Sequence, residues 1–152
     1  MAGTIATALT ACVETTPQVV YDEHTNQTVV FSRTVDAYSG LLNFVKARAF
    51  YNRDVGYGVE TLISNYGWIH PQEVWSFGKK FPYKNTTTDV GMCGGAGGCI
   101  TTEKGLFVLT EAQFKQAAQT GIEFKIIGAK GSFVGKISPD QFAEVLALIG
   151  KQ

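Results

Sequence analysis

The sequence predicts an α+β domain, a mainly antiparallel β-sheet covered on one face by two C-terminal helices. Three observations carry this: two helix starts with capping signatures in the last third of the chain, strand-like alternation before and between them, and enough apolar side chain to fill a core. The chain has 152 residues, 45% hydrophobic and 17% charged, with 10 Phe, 6 Tyr and 2 Trp. A chain of this size and composition offsets its conformational entropy without metals or crosslinks, which excludes disorder and makes one domain, residues 18–152, the expectation.

In Leu109-Thr110-Glu111-Ala112-Gln113-Phe114, Thr110 is placed to cap, Gln113 to complete a capping box, and Leu109 to staple onto Phe114; Gly121 supplies the stop. In Ile137-Ser138-Pro139-Asp140-Gln141-Phe142, Ser138, Gln141 and the Ile137/Phe142 pair repeat the pattern, with Pro139 at the first helical position and Gly150 at the end. Phe142, Val145, Leu146 and Ile149 lie on one helical stripe, so the second helix is the stronger core element.

Ile122, Phe124 and Ile126 alternate with Glu123 and Lys125, and the strand pattern to Ile137 turns near Gly128-Ala129-Lys130-Gly131. Residues 100–108 read as a similar hairpin turning near Lys104-Gly105, which would make two consecutive hairpin-plus-helix units. Further upstream, 19–21 and 28–37 flank the turn at 22–26, and 44–51 and 57–64 flank the turn at 52–56. Residues 67–98 are the least regular part, yet they hold Trp68, His70, Trp75 and Tyr83. Long connections in compact domains carry function or are pinned by their own side chains, so these four residues are the candidate binding residues. The competing reading of the aromatic residues is that they pack in the core.

No stretch approaches the 18 or so apolar residues of a membrane-spanning helix. The uncharged segment Met1 to Ala11 instead leads into Leu9-Thr10-Ala11-Cys12 and then a polar, Pro-containing stretch to Pro17. This resembles the bacterial lipobox, and the resemblance implies that Cys12 is acylated, that residues 1–17 are a truncated signal segment and tether, and that the domain is held at a membrane by that anchor. The segment departs from a full signal peptide in having no Lys or Arg before Arg33. The run from Gly56 through Trp68 and Trp75 to the C-terminal hairpin and helix also resembles small secreted proteobacterial proteins of unknown function, a likeness that implies no activity.

Cys93 and Cys99 bracket Gly94-Gly95-Ala96-Gly97-Gly98, a segment suited to neither helix nor strand and able to bring its ends together. A Cys93–Cys99 disulfide is expected, and its persistence implies an oxidising compartment. Redox and zinc alternatives fit less well: the spacing is longer than in a redox pair, and His24 and His70 are isolated in sequence.

Lys plus Arg equals Asp plus Glu at 13 each, so no overall field favours nucleic acid, and Lys79, Lys80 and Lys84 read as a solvated run. There is no Gly-x-Ser-x-Gly, His-Glu-x-x-His, Walker or dinucleotide signature. No cofactor or metal is expected. The sequence therefore leads to an exported, lipid-anchored, non-enzymatic module of the bacterial envelope, periplasmic or surface-exposed, with a protein or glycan partner. The competing expectation is an exported hydrolase with its cleft in residues 67–98.

Overall fold

The computed structural model describes residues 15–151 apart from Ala96; Cys12 lies outside the described residues. The fold is α+β, mostly antiparallel strand with two helices. The strands are β1 (Gln18–Asp22), β2 (Gln27–Phe31), β3 (Val35–Ser39), β4 (Phe44–Asn52), β5 (Gly56–Tyr66), β6 (Pro71–Ser76), β7 (Lys79–Pro82), β8 (Lys84–Cys93), β9 (Cys99–Leu109), β10 (Ile122–Gly128) and β11 (Gly131–Ile137); the helices are α1 (Glu111–Thr120) and α2 (Pro139–Ile149).

The strands form two sheets where the sequence predicts one. A seven-stranded sheet has the order β1-β2-β4-β5-β9-β8, with β3 also pairing β4, and a four-stranded sheet has the order β11-β10-β6-β7. Along β5 and β9, Val59 pairs Phe107, Thr61 pairs Gly105 and Ile63 pairs Glu103, so these residues share the face that turns inward. Phe107 meets Phe81 and Phe124 of the smaller sheet, at ring-centroid distances of 6.2 and 5.5 Å, and this contact joins the two sheets. Phe114 of α1 lies 4.9 Å from Tyr57 and 5.0 Å from Phe142 of α2, so the helices enter the same apolar cluster.

The helix starts follow local chemistry. Thr110 and Gln113 form the reciprocal capping box. At α2 the Ser138 hydroxyl donates instead to Gln141 Oε1 at 2.6 Å, while Pro139 supplies a preset first turn.

Two expectations are corrected. Residues 100–108 do not turn at Lys104-Gly105: β9 is one continuous strand paired with both β5 and β8, so the two hairpin-plus-helix units do not exist. Gly105 is needed for close packing, since a Cβ there would come within 2.4 Å of the Tyr83 ring. Residues 67–98 are largely strand, contributing β6 and β7 to one sheet and β8 to the other. The β6–β7 turn runs through Phe77 and Gly78, both at positive φ, as a tight two-residue hairpin requires.

Tyr83 is only 8% exposed, and its hydroxyl shares a 2.8 Å hydrogen bond with Thr61. Burial, helped by the charges of Glu103 and Glu60 and opposed by the Thr61 bond, pushes the phenol up from 10.0 to about 12. The unfolded chain loses this proton from about pH 10, whereas the folded protein keeps it until about pH 12. The neutral phenol's contribution is therefore full below pH 10 and disappears across that interval, on the order of 3 kcal/mol. Urea unfolding of Tyr83→Phe should show a cost of about 1 kcal/mol at pH 8, from the lost hydrogen bond. The variant should also lose less stability than the wild type between pH 10 and 12; an equal loss would show that another group governs the alkaline limb.

Candidate binding surface

The β3–β4 turn, the last residues of β5 and the β8–β9 turn meet at one end of the seven-stranded sheet, around a groove of about 510 Å³. Pairing brings them there: Ser39 faces Phe44, Phe44 faces Ser64, Tyr66 faces Ile100, and Cys93 faces Cys99. In the β3–β4 turn the Gly40 N–H donates to the Asn43 carbonyl at 2.8 Å, closing the loop and leaving Leu41 and Leu42 at its apex. They are 97% and 72% exposed. Apex positions of turns select Gly, Asn, Asp and Pro, and two leucines there forgo the burial of about 1.5–3 kcal/mol each that the core would give.

The facing element is the β8–β9 turn, closed by the Cys93–Cys99 disulfide with Sγ–Sγ 2.05 Å. Both sulfurs are thus bonded to each other, so while the bond persists neither is a thiolate ligand for zinc. Met92 stands beside the disulfide, 81% exposed. The platform beneath is cross-braced: the Gly67 N–H donates to the Cys99 carbonyl at 3.0 Å, and the Gly67 carbonyl accepts from Thr101 Oγ1 at 2.9 Å and Asn65 Nδ2 at 3.0 Å. The Tyr66 ring lies so close to Gly98 that a Cβ there would overlap it, at 1.8 Å.

Charge is the other property of this end. The stretches 37–45, 61–69 and 90–102 that supply it contain no Asp, Glu, Lys or Arg, in a chain where 17% of residues are charged. The first charges behind the turn, Asp36 and Lys46, are paired with each other at 2.7 Å.

The four candidate binding residues do not converge here or elsewhere. Tyr83 is in the core. Trp68 stacks on His70 at 6.0 Å in the β5–β6 connection, where His70 is exposed and its backbone, at positive φ, donates to Glu103. Trp75 lies on the exposed face of the smaller sheet between Lys80 and Lys125, its indole donating to Glu73 at 2.9 Å. The hydrogen bonds from Lys80, foremost, and from Trp75 hold the Glu73 carboxyl below its ordinary value.

The two least exposed carboxylates of the larger sheet, Glu103 on its inward face and Glu60 on the other, are occupied. Glu103, 1% exposed, accepts from the backbone N–H groups of Ile69 and His70 at 2.8 and 2.9 Å. Glu60 is paired with Arg48 and, at 3.1 Å, with Lys104, while Arg48 also lies 3.6 Å over the Phe31 ring. A second groove, between β3 and the start of β10, carries Asp36, Glu123 and Lys136, each in an ion pair. Among the described residues no group of three or more His, Cys, Asp or Glu gathers. The outer edge of β8 is open but interrupted by register shifts at 85–87 and 90–93, which blunt it as a template for another strand. No family model, curated protein or solved structure matches the chain.

The disulfide closes a short ring and contributes about 2.4 kcal/mol by chain entropy. In a Cys12→Ser background, the double variant Cys93→Ser/Cys99→Ser should melt about 5–10 °C lower in a thermal denaturation scan. A shift under about 1 °C would mean that strand pairing alone holds the turn.

Proposed function

We propose that this protein is a non-enzymatic binding module of the bacterial cell envelope, lipid-anchored at Cys12, whose working surface is the uncharged end of the seven-stranded sheet. The observation that carries this reading is the pair of leucines held in water at the apex of a closed turn, beside Met92 and the disulfide. A rigid, cross-braced platform presenting apolar side chains of this kind is an interaction site rather than a defect of the core. The lipobox resemblance and a disulfide suited to an oxidising compartment support export independently. In this reading the two helices cover one face of the larger sheet through their contacts with Tyr57 and its neighbours, which leaves the disulfide end free for a partner.

An exported hydrolase is the weaker reading, because Glu103 is committed to backbone N–H groups, Glu60 to Arg48 and Lys104, and His70 to a stack with Trp68. Catalytic acid and base work needs groups aimed at a shared reacting atom.

Production in the native host from the protein's own gene, with a photo-crosslinking residue at position 42, followed by intact mass of the product, tests the proposal. A chain beginning at acylated Cys12, two mass units lighter than its reduced form, and crosslinks at position 42 that are absent at a control position such as 134 on β11, are the expected results. An unprocessed chain with free thiols would overturn export, and equal labelling at both positions would overturn the assignment of the surface.

A further inference from the structure

We infer that the disulfide end is a membrane-contacting tip, whose occupant is the lipid bilayer itself. The inference rests on the envelope reading above and names what its surface touches.

The chain's path into β1 gives the orientation. Phe44 marks the tip end of β4, and β4 runs from there to Asn52. Val29 pairs Asn52 and Phe31 pairs Phe50, so β2 runs back towards the tip. In β1, Gln18 pairs Phe31 and Asp22 pairs Gln27, so the chain enters β1 from the tip side and runs away from it. The level of Gln18 is six residues short of Phe44, or about 20 Å at the rise of a strand. Cys12 precedes Gln18 by six residues, whose extended reach is also about 20 Å. Six fully extended residues before Gln18 are therefore long enough for an acyl anchor at Cys12 to bring the bilayer surface to the level of Leu41.

The chemistry of the tip fits that solvent. Its apex side chains, Leu41, Leu42 and Met92, are apolar and project most, and Tyr66 and Ile100 stand behind them, half exposed. Tyrosine is a residue of membrane interfaces, and the hydroxyl end of Tyr66 lies over Gly98 of the disulfide turn. A protein partner ordinarily adds directional contacts from a polar, charged rim, and the three stretches that build this end carry no charge at all. Asp36 and Lys46 neutralise each other behind it, so neither attraction to nor repulsion from anionic headgroups is built in. A few inserted side chains bind only weakly by themselves, as a single short acyl chain does, and act by adding to an anchor.

The test uses the full chain carrying Cys12→Ser, so that no acylation contributes, floated with vesicles of phosphatidylethanolamine and phosphatidylglycerol (3:1) and of phosphatidylcholine alone, at millimolar lipid. The expected result is partitioning into both, unchanged by salt. Leu41→Asp/Leu42→Asp, and separately Met92→Asp, should weaken it by about tenfold or more, while Lys84→Glu at the far end of β8 leaves it as it was. Unchanged melting temperatures identify variants that still fold, and the two tip variants are independent of each other. The inference is overturned by no flotation, by flotation confined to anionic vesicles and abolished by salt, or by an equal loss in Lys84→Glu. A concentration-dependent dimer that the tip variants dissolve also overturns it, since the surface would then be an interface between copies. Because these vesicle measurements do not use acylation, their failure is distinguishable from failure of the anchor, which the mass of the host product reports.

Discussion

The arrangement of two sheets depends on one buried carboxylate. Glu103 sits near the middle of β9, a strand of the larger sheet paired on both edges, and takes both N–H groups of Ile69 and His70, where the chain leaves that sheet to begin the smaller one. The same two residues give their carbonyls to Lys130 and Ala129 in the β10–β11 turn. Gly128 permits the approach, since a Cβ there would meet the Ile69 carbonyl at 2.4 Å. A charge in the interior is tolerated only when such donors replace water, and the two backbone donors, left without the carboxylate, would cost about 1–3 kcal/mol each. One polar knot thus fixes the corner, and the Phe107, Phe81 and Phe124 rings fill the space that the corner defines.

What the sequence makes legible is whatever is decided within a few residues. The box at Thr110 and Gln113, the proline at Pro139, and the turns at 22–26, 52–56 and 128–131 are local chemistry, and the corresponding helices and hairpins appear, although the strand expected over 28–37 stops at Phe31 and Val35 opens a separate strand, β3, on β4. The errors arise where a distant residue overrides a local cue. Gly105 looks like a turn residue but makes room for Tyr83, so the local cue for a hairpin lies inside one long strand. Phe77-Gly78 lacks the usual polar turn residues and hid the β6–β7 hairpin, because Phe77 is held at positive φ while packing against the core. The division into two sheets depends on Glu103, which nothing local announces.

The candidate surface was half legible. The glycine spacer between Cys93 and Cys99 announced a ring, and the ring is there. Trp68, His70, Trp75 and Tyr83 have the chemistry of binding residues, but they divide among a corner, an outer face and the core, because alternation along strands separates neighbours. Leu41 and Leu42 belong to no recognised motif, although two leucines between Ser39-Gly40 and Asn43 contradict the turn chemistry around them. A local rule broken without compensation inside the fold is the signal that was available.

The order in which strands become available matters to a chain that emerges from its amino end. β5 pairs β4 along one edge and β9 along the other, and β9 begins 33 residues after β5 ends. A growing or translocating chain has the β4–β5 hairpin early, with an eleven-residue apolar-faced edge that stays vacant until residue 109 has emerged. Nascent sheets of this kind are vulnerable to pairing with a neighbour's strand. Strand β8 arrives immediately before β9 and is joined to it by a tight, covalently closable turn. The two can therefore approach the vacant edge as a preassembled ribbon, shortening the interval in which the wrong partner can take that place.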